Sequence, residues 1–443
     1  MKTTYTYAQI IRIAYPVFLT LLIQNLIQVI NTAFLGHVGE VELGASAIGG
    51  IFYIAIFVVA FGFSIGAQIL IGRRNGENNL NQIGEIFFFG TVFLLLIALL
   101  IFYFTRLYSG LILTKLLHSP NVLNASIEYL DWRIGGLFFA SINLMFRAFF
   151  VGIIHTKVLT FNAISMALTN VFLDYVLIFG KWGFPEMGIS GAALASVISE
   201  FVSTVFFIIY TVFFIDLKKY GFIGVVWRDI RVIRSILNVS TALMIQFFLA
   251  LSTWLFFFLA IEGMGETNLA ISNIIRSFYM IAGIPVFALS ATSSTLVSNV
   301  IGAGKSDEAL AIIWKIARLT LAISLVLSVI LFLFPEPVLR LYTSNPELIR
   351  ESIPSLYLIL IVLLVLSVGN VFFQSVSGTG NTRSALMIEC FTLLVYAIWI
   401  WVVAIHLKAP LVVCWTVELI YAFLIGTLSY IYFRYAKWQN KKL

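Results

Sequence analysis

The sequence predicts an all-α integral membrane protein, with twelve transmembrane helices in two six-helix lobes related by a pseudo-two-fold axis along the membrane normal. Three observations predict this fold: an apolar composition, twelve apolar runs of membrane-spanning length, and an internal repeat. The chain has 443 residues, of which 61% are hydrophobic and 11% charged, and its mean hydropathy is +1.03. A soluble domain carries about 25% charged residues, so this composition indicates a protein that folds in a bilayer.

The apolar runs are long enough to cross a membrane, since a helical span needs ~20 apolar residues. They lie at 8–35, 45–71, 82–104, 124–153, 159–180, 190–215, 235–260, 268–297, 309–334, 354–377, 385–407 and 411–433. Short turns such as Gly36–Gly39 and Gly72–Gly76 separate them. The first run is too long for a cleavable signal peptide, so we expect it to remain as a span.

The distribution of basic residues predicts the orientation. Most of the 27 Lys and Arg fall in or beside the loops on the side that holds both termini. Six lie on the other side, namely Arg106, Lys115, Lys181, Arg340, Arg350 and Lys408. Because basic loops stay in the cytoplasm, we expect a multi-pass protein of the plasma (inner) membrane with both termini cytoplasmic. The net charge of +7 then reflects topology, and no nucleic-acid partner is expected.

The chain repeats itself at an offset of 226 residues. The matches that define the register lie in turns and helix ends: Gly39 with Gly265, Glu40 with Glu266, Gly76 with Gly302, Pro120 with Pro346, and Gly152 with Gly378. Six spans in each half return the chain to the side where it started, so both halves have the same orientation. We therefore predict lobes at 1–220 and 221–443. Transporters built from such parallel repeats enclose a central cavity and rock around it.

Asp174 is the leading candidate for function, because it lies inside the apolar run from Thr160 to Gly180. An ionised carboxylate in a membrane interior is costly and usually functional. Asn170 is four residues earlier, on the same helix face. Asn31, near the outer end of the first span, could meet Asp174. These three residues predict a site for a proton or another cation. The alternative is a carboxylate tied to a neighbouring helix for packing alone.

Further polar residues lie within other spans. Glu200, with Ser196 four residues before it, is either a second proton or cation ligand or a packing carboxylate bonded to Ser196. Glu389 is expected to reach the inner interface, and Glu418 to pair with Arg276 or to line a cavity. The residues expected to line a substrate cavity are Gln24, Gln246, Arg276, Asn370 and Gln374.

Several classes of chemistry are not expected. The two cysteines, Cys390 and Cys414, lie in apolar runs and are interpreted as core side chains, and the four histidines do not cluster. We therefore expect no metal site and no cofactor. Turns such as Gly302–Lys305 lack the spacing of a phosphate-binding loop, and no catalytic constellation is visible. The chain is interpreted as a monomeric, non-enzymatic protein in the lipid bilayer, driven by an ion gradient.

Three segments resemble the multidrug and toxic compound extrusion family, the MATE transporters. Pro16, Gln24 and the string from Asn31 to Gly39 resemble its first helix. The string from Asn170 to Gly180, followed by Pro185 and the segment from Gly188 to Ser196, resembles its fifth and sixth helices. The turn from Gly378 to Arg383 resembles the one after its tenth helix. The resemblance implies an antiporter that exports small organic cations or drug-like compounds in exchange for protons or sodium.

The chain departs from the family pattern at three places. Asn31 and Asn381 stand where the family usually has Asp, and Gln246 is the only candidate in a helix where many bacterial members place Glu. An acidic ion site at those second-half positions is therefore not expected, which leaves Asp174. The alternative function is a flippase for a lipid-linked oligosaccharide or cell-wall precursor. Such flippases line their cavities with several basic residues, whereas this chain offers only Arg276, Arg133 and Arg147 within its spans.

Overall fold

The computed structural model describes residues 5–117, 119–223 and 231–439, and these residues form helices and turns without any β-strand. Seven α-helices make up the first half of the chain. They are α1 (Tyr7–Val38), α2 (Glu40–Gly76), α3 (Asn81–Leu116), α4 (Pro120–Arg133), α5 (Gly136–Gly152), α6 (Lys157–Ile178) and α7 (Gly188–Phe214).

Seven more α-helices make up the second half. They are α8 (Arg231–Glu262), α9 (Glu266–Gly302), α10 (Ser306–Leu333), α11 (Pro335–Leu339), α12 (Pro346–Gly378), α13 (Thr382–Ile400) and α14 (Leu411–Tyr435). The end of α13 continues as a π-helical turn, Trp401–His406. Within the described residues, eleven helices are long and apolar enough to cross a membrane, and α4 with α5 forms a twelfth, bent span. The prediction of twelve spans is confirmed.

The repeat extends to helix boundaries, but one span differs in shape between the halves. Helices α2 and α9 begin and end at equivalent positions, as do the α4–α5 pair and α12. The axis bends by 50° between α4 and α5, whereas α12 is one helix. Gly135 and Gly136 lie at the bend, and Ile361 and Val362 occupy the equivalent positions of α12. Glycine weakens a helix interior by about 1 kcal/mol relative to alanine, so the Gly–Gly pair favours the break.

The chain packs into two compact units. One contains Leu19–Met244, and the other contains the segment up to Phe18 together with the chain from Ile245 onward. Helices α1 and α8 are each divided between the units. These units are defined by packing, whereas the lobes at 1–220 and 221–443 are defined by the repeat and stay a prediction.

Facing glycines allow two helix pairs to approach closely. A methyl group added at Gly426 of α14 would lie 2.9 Å from the Cα atom of Gly369 in α12. In the first half, a methyl group at Gly191 of α7 would lie 2.8 Å from the backbone of Leu177 in α6. Small residues give membrane helices this close contact, since apolar side chains gain little from leaving lipid. Gly191 thereby holds α7 against the end of α6 that carries Asp174.

The two cysteines differ in exposure. Cys414 is buried and its Sγ atom contacts the sulfur of Met264, whereas Cys390 is exposed. The expectation that both are core side chains is wrong for Cys390. Successive helical residues point about 100° apart, and the neighbouring Glu389 is buried, which turns Cys390 to the surface.

Gly426→Ala should destabilise the protein by ~1–3 kcal/mol, because the added methyl group has to displace the backbone of α12. Gly44→Ala is the matched control, since a methyl group there meets no atom within 4 Å. Thermal unfolding in detergent should give a lower Tm for Gly426→Ala alone. Equal Tm values for the two variants would contradict the close packing of α12 and α14.

Candidate ion-binding site

Asp174 lies one turn before the end of α6, and its side chain is fully buried, with 0% of its surface exposed. Asn170 lies one turn earlier on the same face and is 1% exposed. Helix α6 therefore presents a carboxylate and an amide at adjacent positions, away from solvent, as the four-residue spacing predicts.

Helix α1 brings Asn31 to this pair. The amide nitrogen of Asn31 donates to Asp174 Oδ2 at 2.6 Å, to Asn170 Oδ1 at 2.9 Å and to the Ile27 carbonyl at 3.0 Å. The hydrogen-bond pattern selects this amide orientation, because the opposite one would point the amide oxygen at three acceptors. The structure thus places together the three side chains that the sequence singled out.

One carboxylate oxygen of Asp174 lacks a hydrogen-bond donor. Its Oδ1 atom is buried and has no hydrogen-bond partner among the described residues. A buried acceptor without a donor costs about 1–3 kcal/mol, and more when it is charged. A proton on the carboxyl group or a cation beside it would each remove that cost. The geometry therefore suits reversible binding of a positively charged species.

The pocket is bordered by Tyr129 and by an apolar cluster. Tyr129 of α4 lies close enough to Asp174 and to Arg133 to interact electrostatically with both. The cluster includes Leu35, one turn beyond Asn31, and Ile178, one turn beyond Asp174. Its other buried members are Ala45, Ile189 and Ala192. Leu35 and Ile178 place this cluster on the predicted outer side of the pocket.

Glu200 is held by an ion pair. Arg133 Nη2 donates to Glu200 Oε1 at 2.7 Å, and Arg133 Nη1 donates to Oε2 at 3.0 Å. The side chains of Arg133 and Glu200 are only 11% and 9% exposed. The guanidinium carbon also lies 3.8 Å from the centre of the Tyr53 ring. This bidentate pair neutralises the carboxylate within the protein.

The alternative in which Glu200 bonds to Ser196 is not observed. The Ser196 carbonyl accepts from Ser199 Oγ at 2.8 Å, and no hydrogen bond joins Ser196 to Glu200 or Asp174 in the described part of the chain. The guanidinium offers two charged donors in a planar fork, which a single hydroxyl does not match. The coupling roles of Glu200 and Ser196 stay predictions.

The bend between α4 and α5 makes room for the ion pair. A methyl group at Gly136 would collide with the carboxylate of Glu200 and the guanidinium of Arg133. Arg133 is the last residue of α4 and Gly136 the first of α5. The Gly–Gly break therefore does two things: it bends the span and it seats a buried charge pair.

The residues expected to line a substrate cavity have different surroundings. Gln246 is 3% exposed and its Oε1 atom has no partner among the described residues. Asn370 donates to Ser290 Oγ at 3.1 Å and so bridges α12 and α9. Gln24 is exposed and Gln374 half-buried. No hydrogen bond or ion pair of the described chain joins any two of these residues, and their contact with substrate stays a prediction.

For the second-half acids, the expectation for Glu389 is wrong, and of the two alternatives for Glu418 the pairing with Arg276 is not observed. Glu389 is 1% exposed and accepts from the Tyr421 hydroxyl, so it does not reach the interface. Glu418 accepts from the Tyr396 hydroxyl at 2.8 Å and has no ion pair with Arg276. The guanidinium of Arg276 instead lies over aromatic rings, 5.9 Å from the centre of Trp254 and 5.3 Å from that of Phe258. Tyrosine hydroxyls on neighbouring helices satisfy these carboxylates inside the protein.

Sequence reasoning missed the partners of the first-half acids. The pairing of Arg133 with Glu200 could have been predicted, since a lone arginine and a lone glutamate within membrane spans each need a partner in lipid. Tyr53 and Tyr129 could not have been predicted, because nothing local separates them from the other tyrosines among the 18 in the chain.

Solved transporter structures share this fold. The chain superposes on an outward-facing multidrug resistance MATE family transporter with a TM-score of 0.88 and 17% identity, covering 98% of this chain and 96% of that one. It also superposes on a MOP superfamily transporter from Pyrococcus furiosus, with a TM-score of 0.87, 17% identity, and coverage of 96% and 94%. At this identity the likeness establishes that the chain shares their fold.

The MatE family model matches the chain twice, over residues 16–176 and 242–402. The two matches lie 226 residues apart, as the repeat does, and together they cover more than half of the chain. The chain therefore belongs to the MatE family. It is 26% identical over 448 aligned residues to the probable multidrug resistance protein NorM of Thermotoga maritima, covering 98% of this chain and 93% of that protein.

Breaking the Arg133–Glu200 pair from either side should destabilise the protein by ~3–5 kcal/mol, since it leaves one buried charge alone. Replacing both residues, as Arg133→Met with Glu200→Met, should recover most of that loss. Tm values of the two single variants and the double variant decide this. Additive losses in the double variant would mean that the pair is not the reason for the instability.

Proposed function

We propose that this protein is a secondary active antiporter that exports organic cations or drug-like compounds in exchange for protons, with Asp174 as the ion-coupling residue. The observation that carries the proposal is the pocket around Asp174, where, among the described residues, the buried carboxylate has the amide of Asn31 as its only donor and keeps one oxygen unsatisfied. Names of relatives support the substrate class, because the Thermotoga maritima protein is a probable multidrug resistance protein.

The ligand set favours a proton over sodium. A hard cation in a protein is surrounded by several oxygen ligands. The amide of Asn31 turns its nitrogen, and not its oxygen, toward Asp174 and Asn170. Glu200, the other buried carboxylate of the described first half, is already neutralised by Arg133. One carboxylate without a second charge is sufficient for a proton and a poor cage for sodium.

The proposed cycle follows from charge. Ionised Asp174 attracts a proton from outside or a cationic substrate from inside, and the two compete for the same negative charge. Protonation removes the charge, so the substrate leaves outward while the neutral acid carries the proton inward. Rocking of the two halves would expose the site alternately to the two sides. Asn31 moderates this process by donating to Asp174 without adding a charge.

Aromatic side chains suit the proposed substrates. The chain contains 41 Phe, 18 Tyr and 9 Trp, whose ring faces attract organic cations. The flippase alternative is weaker, because Arg133 is tied to Glu200 and so is not free to bind a phosphate. We place the protein in the plasma (inner) membrane as a monomer with both termini cytoplasmic, in line with the distribution of Lys and Arg.

Asp174→Asn should abolish coupled export by a protein that still folds, because the amide keeps the shape of the carboxyl group but neither ionises nor releases a proton. Efflux of a fluorescent organic cation from cells with matched expression measures this. Asp307→Asn, at the exposed start of α10, is the matched control and should keep wild-type efflux. Normal efflux by Asp174→Asn would refute the assigned role.

The identity of the coupling ion is decided in proteoliposomes with separate gradients. A pH gradient alone should drive efflux, and a sodium gradient with the pH gradient collapsed should not. Full activity under sodium together with none under the pH gradient would overturn the proton assignment while leaving Asp174 as the ion site.

Asn31→Asp should change the pH dependence of efflux, because two adjacent carboxylates bind protons as a coupled pair. The hydrogen-bond distance of 2.6 Å between Asn31 and Asp174 makes that coupling strong. Asn121→Asp, at the exposed start of α4, adds the same charge elsewhere and should leave the pH profile unchanged. Identical profiles for Asn31→Asp and wild type would argue against contact of residue 31 with the coupling acid.

A further inference from the structure

A second group of buried acids lies between α13 and α14. The Tyr421 hydroxyl of α14 donates to Glu389 of α13, at 3.1 Å from Oε1 and 3.3 Å from Oε2. The Tyr396 hydroxyl of α13 donates to Glu418 Oε1 of α14 at 2.8 Å. Each helix thus supplies one acid and one tyrosine, and the two pairs face each other across a single helix interface.

The two pairs are connected. The rings of Tyr396 and Tyr421 meet edge to face, with centroids 6.2 Å apart. Tyr279 of α9 lies close enough to Glu418 and Tyr421 to interact electrostatically with both. We call these five residues the acid–tyrosine cluster: Tyr279, Glu389, Tyr396, Glu418 and Tyr421. All of them belong to the unit that contains the chain from Ile245 onward.

Among the described residues, no basic side chain forms an ion pair with this cluster. Glu389 and Glu418 are 1% and 4% exposed, and within the described residues no Lys, Arg or His lies within ion-pair distance of either carboxylate. The packed neighbours do not supply one: the charged residues of α12 lie between Glu347 and Glu351 at its first turns. Cys390, which interacts weakly with Glu389, carries no positive charge.

The contrast with the first half is chemical. Arg133 fixes Glu200 in its ionised form, because a guanidinium always carries its charge. A tyrosine hydroxyl can donate to an ionised carboxylate and can also accept from a protonated one. The acid–tyrosine cluster can therefore satisfy its hydrogen bonds with and without an added proton. Burying an unpaired charge in apolar surroundings costs free energy. Uptake of a proton neutralises the charge and so removes that cost.

The acids occupy different depths. Helix rise places Glu389 about 10 Å from the start of α13 on the predicted inner side, and Glu418 about 10 Å from the start of α14 on the predicted outer side. Tyr396 and Tyr421 lie between them along the helix axes. The cluster thus spans the middle of the second half, with an acid toward each side.

We propose that Glu389 and Glu418, with Tyr279, Tyr396 and Tyr421, form a second proton-binding site in the second half of the chain, separate from Asp174. Reversible proton binding there does not depend on the proposed function. Its use in transport does rest on that function, since a proton bound at the cluster would add to the one carried by Asp174.

The test is infrared difference spectroscopy of the purified full-length protein in lipid, following the carbonyl stretch of protonated carboxyl groups as pH is changed. An Asp174→Asn background removes the first site. In that background we expect a carboxyl band that disappears as pH rises, and that Glu418→Gln and Glu389→Gln each reduce. Glu262→Gln, at the exposed end of α8, is the matched control and should leave the band unchanged.

Three infrared results would overturn the proposed proton-binding site. A band that both Gln variants leave intact, or a band from these acids that does not respond to pH, overturns the proposal. If the Gln variants do not fold, Tyr396→Phe is the second variant. It keeps the carboxyl group of Glu418 but removes its hydrogen-bond donor, so we expect the carboxyl band to shift in frequency. A band that does not shift also overturns the proposal.

Transport assays distinguish this proposal from the proposed function. With Asp174 intact, Glu418→Gln should lower the number of protons moved per substrate in proteoliposomes. An unchanged ratio removes the cluster from the transport cycle. Normal export by Asp174→Asn would instead refute the proposed function and leave the infrared result on the cluster standing.

Discussion

The cost of burying a carboxylate in apolar surroundings governs the polar architecture of this protein. The four buried acids of the described chain meet that cost in three ways. Glu200 is neutralised by the guanidinium of Arg133. Glu389 and Glu418 are held by tyrosine hydroxyls. Asp174 has one amide donor and one unsatisfied oxygen, and is therefore the acid whose environment is least complete without an added proton or cation. The proposed coupling role follows from that incomplete environment more than from the presence of an acid in the span.

The two halves share a repeat but have diverged where charge is buried. The fourth span is bent at Gly135 and Gly136, and the missing side chain at Gly136 seats the Arg133–Glu200 pair. Its counterpart α12 carries branched apolar residues at those positions and stays continuous. The second half in turn places its two buried acids on α13 and α14, where tyrosine hydroxyls are their partners. The first half holds a buried ion pair. The second half holds carboxylate–tyrosine hydrogen bonds, which can form whether or not the carboxylate is protonated.

Close helix contacts hold these groups in register. Gly191 lets α7 approach α6 beside the pocket of Asp174, and Gly426 with Gly369 does the same for α14 and α12. Because a hydrogen bond weakens over a few tenths of an ångström, such contacts matter for function as well as stability. The glycines were visible in the sequence, yet which helix each one faces depends on packing between segments far apart in the chain.

The sequence by itself determined the number of spans, the repeat offset and the family resemblance, because apolar runs of fixed length and residues in turns are local signals. It also singled out Asp174, Asn170 and Asn31, since a carboxylate within an apolar run is conspicuous. Only the tertiary structure decided the partners: Arg133 for Glu200, and the tyrosines for Glu389 and Glu418. Those pairings join different helices, and the rotation of each helix about its axis is set by the packing of its neighbours, which no single segment encodes.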